Sequence, residues 1–364
     1  MLKANPIVLV IVCVTAIACD DAVGPERDHD SNRFIEIAAG DFHTCARTAD
    51  GAVYCWGSNE SGALGVPLEM DTTGPVHVPL PDRAESIEAG GGASCALVEG
   101  EAWCWGFLPG NGTTSSPISM ASGIAWRDLV PSNRSDRTYL CGVAADSAAY
   151  CWGSQGSHLG TDSVAGSEPV LLPHTDWTFI AARSNATCGV RRDGAGYCWG
   201  RTPEFQEADV PQPVWPELAW QTLQPGSGFV CGLASSASPD AGHIRCWGRI
   251  ASFEDRTSPV VSPHRAEKLA VGAEHVCTVD DGWLRCWGSN EHGQLGLGDW
   301  ISRPNAALVD PTNRWVDVAA GMMHTCALDS DGGVWCWGSN ARSQTGDGWL
   351  GDRFRPGRVA FGDD

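Results

Sequence analysis

Short runs of alternating apolar and polar residues, broken by glycine and proline, recur along the chain. Phe34-Ile35-Glu36-Ile37-Ala38-Ala39-Gly40 and Trp315-Val316-Asp317-Val318-Ala319-Ala320-Gly321 are two of them. Their period of two predicts a β-strand that ends in small residues. After each run comes a segment with a turn at its centre, cleanest in His43-Thr44-Cys45-Ala46-Arg47-Thr48-Ala49-Asp50-Gly51-Ala52-Val53-Tyr54-Cys55-Trp56-Gly57. It reads as two strands joined by a tight hairpin. A fourth stretch follows a loop rich in glycine and proline, as in Gly74-Pro75-Val76-His77-Val78-Pro79-Leu80 or Pro169-Val170-Leu171-Leu172-Pro173. Prolines there place it at a sheet edge, where a missing N–H costs least.

The Cys-Trp-Gly of the hairpin returns at Cys55, Cys104, Cys151, Cys198, Cys246, Cys286 and Cys336, at intervals of 49, 47, 47, 48, 40 and 50 residues. Such a period signals a repeat architecture. Each of these cysteines has one earlier partner: Cys45, Cys95, Cys141, Cys188, Cys231, Cys277 and Cys326. The spacing within a pair tracks the turn between its members. A gap of ten centres on three residues: Ala49-Asp50-Gly51, Ala145-Asp146-Ser147, Arg192-Asp193-Gly194 and Ser330-Asp331-Gly332. Most end in glycine, as a type I turn followed by a left-handed residue requires. A gap of nine centres on Glu99-Gly100 or Asp281-Gly282, the chemistry of a two-residue turn. Both arrangements set the cysteines opposite each other, about 4.5–5.5 Å apart at Cα and within reach of a disulfide. Cys231 and Cys246 span a longer loop, Ser235 to Gly242, and fit less closely. Zinc sites want Cys-x₂₋₄-Cys and four ligands per ion, and neither occurs. The pairs Cys45–Cys55, Cys95–Cys104, Cys141–Cys151, Cys188–Cys198, Cys231–Cys246, Cys277–Cys286 and Cys326–Cys336 therefore read as a disulfide framework of an oxidising compartment.

Four antiparallel strands in roughly 47 residues, seven times over, predict an all-β, seven-bladed β-propeller of four-stranded blades with one disulfide in each. The stretch Ile37-Ala38-Ala39-Gly40-Asp41-Phe42-His43-Thr44-Cys45-Ala46, continued by Asp50-Gly51-Ala52-Val53-Tyr54-Cys55-Trp56-Gly57-Ser58-Asn59-Glu60-Ser61-Gly62-Ala63-Leu64-Gly65, resembles the repeat of the regulator of chromosome condensation family. Asp281 to Gly296 and Gly321 to Leu328 are similar, whereas the middle blades keep the hairpin and lose much of the glycine loop. The resemblance implies the propeller. For function it implies guanine-nucleotide exchange on a small GTPase, which in the founding member uses a hairpin inserted in one blade and a basic nuclear tail. Here the repeat intervals leave no room for such a hairpin. A secreted relative that inhibits β-lactamases through one propeller face implies protein binding instead. The repeats begin on a first strand and end on a fourth, Arg358-Val359-Ala360-Phe361, so each blade is one continuous segment and the ring closes by packing alone.

Composition narrows this further. With 44 glycines, 22 prolines, 19% charged residues and a formal net charge of −20, the chain is turn-rich and acidic. Without a basic patch, nucleic acid is excluded as a partner. Residues 1–19 read as an export signal, with Lys3, an apolar run from Ile7 to Ala18, and Ala16-Ile17-Ala18-Cys19. The stretch resembles a lipoprotein signal, cleaved before Cys19 so that Cys19 carries the lipid; an ordinary secretion signal is the alternative. Residues 20–33 are an acidic tether, and 34–362 the propeller. The expected location is the cell envelope, anchored through the lipid alone, or the exterior.

No catalytic, cofactor or metal motif stands out, and no catalytic residue, cofactor or metal is expected. His43, His275 and His324 share one repeat position. A shared metal ring is weighed against buried residues that each bond their own turn, and the distance between blades favours the second. The tryptophans of Cys-Trp-Gly, with Trp126, Trp177, Trp220 and Trp315, are expected to pack between blades. Asp347-Gly348-Trp349-Leu350-Gly351-Asp352 reads as a solvated turn rather than a cation loop.

What remains is surface. The turns between first and second strands share a face with the loops after Cys-Trp-Gly and vary most. That face carries Phe42, Phe107, Arg134, Arg137, Trp300, Met322, Met323 and Trp349, with Phe205 in the same loops, and blade 3 lengthens its turn at Asn133 to Arg137. Variable loops with aromatics on a rigid scaffold are where recognition resides. The expected function is a non-enzymatic, monomeric binding module for a protein partner. A glycan is the alternative ligand, and exchange activity or an envelope enzyme the alternative functions. The enzyme would be marked by perturbed carboxylates at the channel mouth.

Overall fold

The computed structural model describes residues 33–361 apart from 69–72, 135–136, 155, 162–165, 206 and 252–255, with the side chains at 133–134, 137 and 256–260 also left out. The export segment with Cys19, and the tether up to residue 32, lie outside these residues. Seven four-stranded antiparallel sheets follow one another, and each takes four consecutive strands. Blade 1 runs Phe34–Ala39, His43–Thr48, Val53–Gly57 and Val76–His77; blade 7 runs Trp315–Ala320, His324–Asp329, Val334–Gly338 and Arg353–Arg358. Each sheet is drawn from one uninterrupted segment, as the repeat phase predicts. Beyond strands the described residues hold one short 3₁₀ turn, Ser157–Leu159.

All seven cysteine pairs face each other across the second and third strands, Cys231 and Cys246 included. Every one is bonded, at a Cα separation of 4.1 Å. The turns have the expected chemistry. Gly51, Gly194, Gly332 and even Ser147 sit at φ between 69° and 89°, and the two-residue turns Glu99-Gly100 and Asp281-Gly282 have both residues at positive φ, the signature of a type I′ hairpin.

The apolar core lies between the blades. Seven buried clusters each combine two neighbouring sheets, and the seven tryptophans of Cys-Trp-Gly sit in them almost fully enclosed. Removing one such indole costs about 3–5 kcal/mol. The ring closes where Phe34 of blade 1 meets Phe361 beyond blade 7, ring centroids 4.2 Å apart, with no strand shared.

The repeated histidines are buried, as expected, but their rings do not serve their own turns. His43 Nε2 reaches Ser94 Oγ of blade 2 at 2.8 Å, His275 reaches Thr325 Oγ1 of blade 7 at 2.9 Å, and His324 reaches Thr44 Oγ1 of blade 1 at 2.9 Å. They are bolts between blades. Ser94 and Thr325 donate their single hydroxyl hydrogens to Ala63 O and Gln294 O. His43 and His275 must therefore donate from Nε2, a tautomer assigned from the network. Nδ1 of His275 and of His324 is left buried without a partner. A proton there would be an unsolvated charge, and burial lowers the pKa to about 4 at His43 and about 3 at His275 and His324. Each ring lies on the glycine that ends its innermost strand. A Cβ on Gly40, Gly272 or Gly321 would fall 2.1–2.2 Å from the ring. Tyr139 holds the histidine position in blade 3 and likewise crosses, meeting Thr187 of blade 4.

Ala63 O, Gln294 O and His158 O each receive such a hydroxyl together with an indole, and Gln344 O receives an indole. Trp105 donates to Ala63 O, Trp337 to Gln294 O, Trp199 to His158 O and Trp56 to Gln344 O, all at 2.8–2.9 Å. Each carbonyl belongs to the glycine loop of the preceding blade.

Candidate functional site

One face of the ring is built by the turns after the innermost strands and the loops after the third strands. The two sets are stitched together: the residue after Cys-Trp-Gly donates its N–H to the turn of its own blade, as Ser58 does to Phe42 O, Arg201 to Asn185 O and Arg249 to Gly228 O. At that position Arg201 and Arg249 line the channel mouth, and Ser58 and Phe107 a groove between blades 1 and 2.

In blades 1, 6 and 7 an asparagine then knots the loop. Asn290 and Asn340 are fully buried. The amide of Asn290 donates to Asp299 O and Ile301 O and accepts from Leu295 N; Asn340 donates to Trp349 O and accepts from Thr345 N. The knots hold loop backbones whose apolar side chains face outward. Trp300 is 47% exposed, Ile301 64%, Trp349 64% and Leu350 67%, and Phe354 lies 5.4 Å from Trp300. Asp347 and Asp352, at the two ends of the turn read as solvated, are occupied internally. Asp347 pairs with Arg353 and accepts from Thr345 and Trp349 N, while Asp352 takes His292 and Asn340 N. Among the described residues no group of three or more His, Cys, Asp or Glu is arranged to hold a metal ion.

The predicted face residues fall into separate places. Phe42 is half-buried under Arg342, whose guanidinium carbon stands 5.0 Å from the ring centroid. With Phe107 it lines a groove of about 360 Å³ between blades 1 and 2. Phe107 is not on a loop. The third strand of blade 2 runs on through Glu101–Leu108 and pairs Phe107 with Thr113, because Pro109-Gly110-Asn111 makes a hairpin turn in place of the glycine loop. The lengthened turn of blade 3 is likewise a continued ladder, Arg134 opposite Arg137, tied to its neighbour by Thr138 Oγ1 on Phe107 O. The side chains of Arg134 and Arg137 lie outside the described residues. Met322 is half-buried on the wall of the channel mouth, and Met323 half-buried beside it. Phe205 packs half-buried against the cores of two junctions and is a cap rather than a contact.

The sequence reading missed the centre of the face. A cavity of about 930 Å³ opens there, and its lining includes Arg183, Arg201 and Arg249. Arg183 ends the innermost strand of blade 4, where the other blades have Gly40, Gly90, Ser132, Gly226, Gly272 and Gly321. It has room because Ala186 stands where His43, Phe229, His275 and His324 cover Gly40, Gly226, Gly272 and Gly321. Its guanidinium crosses the mouth to Ala320 O at 2.9 Å and Asp41 Oδ1 at 3.5 Å. Burial raises the pKa of Asp41, and Arg183 opposes the shift.

Carboxylates gather lower in the channel, a space of about 220 Å³. Burial, then Asp128, Glu36 and Asp317, push Glu88 well up; burial pushes Asp128 to about 6. Glu36 is paired with Arg47 at 2.7 Å and Asp317 with Lys268 at 3.6 Å.

These features define a disulfide-stapled, seven-bladed propeller with one loop-built face. Residues 34–63 and 315–344, and by a second profile 50–97 and 281–328, match the Regulator of chromosome condensation (RCC1) repeat. The chain thus carries these repeats on both sides of the ring closure. It is 24% identical over 317 residues to the human E3 ubiquitin-protein ligase HERC2, a match covering 80% of this chain and 6% of that protein. It is 24% identical over 318 residues to the Drosophila melanogaster regulator of chromosome condensation, covering 73% of this chain and 56% of the relative. The chain therefore spans a small part of the first and about half of the second. The ectodomain of the Arabidopsis thaliana receptor kinase ACR4 superposes with a TM-score of 0.56 at 18% identity, covering 90% of this chain and 98% of that one.

Proposed function

We propose that the chain is a non-enzymatic binding module that takes a protein partner on the loop-built face. The observation that carries this is the set of exposed Trp300, Ile301, Trp349 and Leu350 on backbones pinned by buried Asn290 and Asn340. Large apolar side chains held in place before binding lose little freedom when they are covered, and aromatic anchors dominate interface energies. Seven disulfides support residence outside the cytoplasm, and the ACR4 ectodomain gives the same fold an extracellular precedent. The export segment and lipid-bearing Cys19 complete the reading as an envelope-anchored or secreted monomer.

The test is capture from native envelope and culture fractions with the disulfide-intact domain, beside Trp300→Ala/Trp349→Ala/Leu350→Ala. A stoichiometric protein held by the first and lost by the triple variant supports the module. Retention by both overturns the face assignment.

Two observations favour other readings. The repeats are those of a regulator of chromosome condensation, which implies exchange activity; acceleration of guanine-nucleotide release from a small GTPase would establish it. Glu88 and Asp128 are the perturbed carboxylates an enzyme would need. Their channel is smaller than the 300–1,000 Å³ or so of ordinary ligand pockets. Glycoside hydrolysis abolished by Glu88→Gln would install catalysis in place of binding.

A further inference from the structure

The channel mouth on this face carries the wrong charge for the protein around it. The chain has a formal net charge of −20, yet the cavity of about 930 Å³ is lined by three arginines against one aspartate. Two of them break the repeat at the same place. After Cys-Trp-Gly, blades 1, 3, 6 and 7 have Ser58, Ser154, Ser289 and Ser339, whereas blades 4 and 5 have Arg201 and Arg249. The backbone bonds already described make these positions equivalent in space as well as in sequence. Nothing in the fold asks for arginine there, because serine satisfies the same backbone in four blades.

Arg183, on the floor, is held by Asp41 and Ala320 O. Among the described residues neither Arg201 nor Arg249 forms a salt bridge, and both are exposed. Two unpaired guanidinium groups that share one concave wall with a third repel each other unless an anion lies between them. Guanidinium forks match the oxygens of carboxylate and phosphate in paired hydrogen bonds. Ser184, Thr202 and Ser227 of the same wall add hydroxyl donors. The volume is that of a small-molecule site.

We propose that the channel mouth between blades 4 and 5 binds an oxyanion ligand with at least two negative charges, through Arg201 and Arg249 over a floor of Arg183. The acidic exterior repels such a ligand at long range, so recognition is confined to the funnel and suits a compact anion. The same chemistry arrives as a free polycarboxylate or phosphate, or as adjacent acidic side chains of a bound protein. The inference does not rest on the protein-binding reading, whose anchors are Trp300, Trp349 and Leu350.

The experiment is calorimetric titration of the folded, disulfide-intact protein with inorganic phosphate, citrate and a capped tri-glutamate peptide, at low and at physiological ionic strength. One-to-one saturable binding of at least one probe is expected, weakened about tenfold or more in Arg201→Ser/Arg249→Ser and weakened by salt. The serine variant places the residue of four other blades, so its melting temperature should be unchanged. Preference for citrate or phosphate identifies a free ligand, and preference for the peptide an acidic segment of a partner. Absence of saturable binding to all three, or binding unaltered in the double variant, overturns the proposal. Hydrogen-exchange protection by the best probe at residues 183–186 and 226–228 reads the site independently of any variant, and protection confined elsewhere overturns it as well.

Discussion

The junction between blades 7 and 1 and the junction between blades 4 and 5 bury the same tryptophan of Cys-Trp-Gly and hold it differently. At the first, Trp56 Nε1 donates to Gln344 O, and His324 bonds Thr44 beside it. At the second, the equivalent positions are Ala186 and Val230, and Trp247 Nε1 is buried without a partner among Trp215 and Trp220. The division is systematic. Junctions 1/2, 3/4, 6/7 and 7/1 carry a polar bolt. At 2/3 and 5/6 the facing residues are apolar, Ala93 with Leu140 and Phe229 with Val276. Polar always faces polar and apolar always faces apolar. Directional bonds at the closure select one partner blade for a seam that no peptide bond crosses, whereas blades already joined by the chain can rely on apolar burial.

The largest separation of the two kinds should come from acid. His43, His275 and His324 have folded values of about 4, 3 and 3, below the ordinary 6.5. The unfolded chain therefore binds more protons in that interval, so stability present above pH 6.5 or so is lost as pH falls toward 3–4. Each ring accounts for about 3 kcal/mol by pH 4. Asp128, raised to about 6, has the opposite sign and gains stability over part of the same range. The histidine share is hence the difference between the wild type and His43→Gln/His275→Gln/His324→Gln. In non-reducing urea melts the triple variant should be the weaker at pH 7.5 and should lose less on acidification.

Breaking one bolt comes next. Thr44→Val strands His324 Nε2 and should cost about 2 kcal/mol, while Val230→Thr at the apolar junction should cost a similar amount by burying a hydroxyl without a partner. Trp→Phe exchanges sharpen the contrast on one side chain: Trp56→Phe orphans Gln344 O and should cost about 1 kcal/mol more than Trp247→Phe. The smallest effect is expected from conversion. Thr44→Val with His324→Phe copies the Val276 and Phe229 pair. Phe229 already rests on Gly226 as His324 rests on Gly321, so the double variant should lie within about 1 kcal/mol of the wild type. A double variant as weak as Thr44→Val would show that the bolt is required and not merely satisfied.

Much of this molecule was readable in its letters. Strand phase, the disulfide pairing, the turn types and the continuous blades all follow from cysteine spacing and from glycine or serine at the turns. The histidine bonds were not, because a blade read alone gives His43 no partner but its own turn. The clue lay one period on, where Ser94, Thr187, Thr325 and Thr44 follow the polar members of the preceding blades. The repeat pattern sets Phe107 on a loop, yet it lies in a strand because Pro109-Gly110-Asn111-Gly112 spells a hairpin. The exposure of Trp300 and Trp349 follows from their setting in the loops, whereas net charge hides Arg201 and Arg249, which only alignment of the seven Cys-Trp-Gly-x positions separates from serine.

Because each sheet is cut from a single stretch of chain, and Phe34 and Phe361 already touch, the order of the blades is a circle on which the ends are an arbitrary mark. Joining those ends and opening the chain in the segment between any two blades would leave every hydrogen-bonded ladder and every disulfide within one unbroken unit. A propeller closed by a shared strand has no such freedom, since moving its ends would split a sheet. Here a blade can be duplicated or exchanged as a whole, and the record it carries of its neighbours lies in the side chains of its two junctions, among them the residues two and one before its first cysteine.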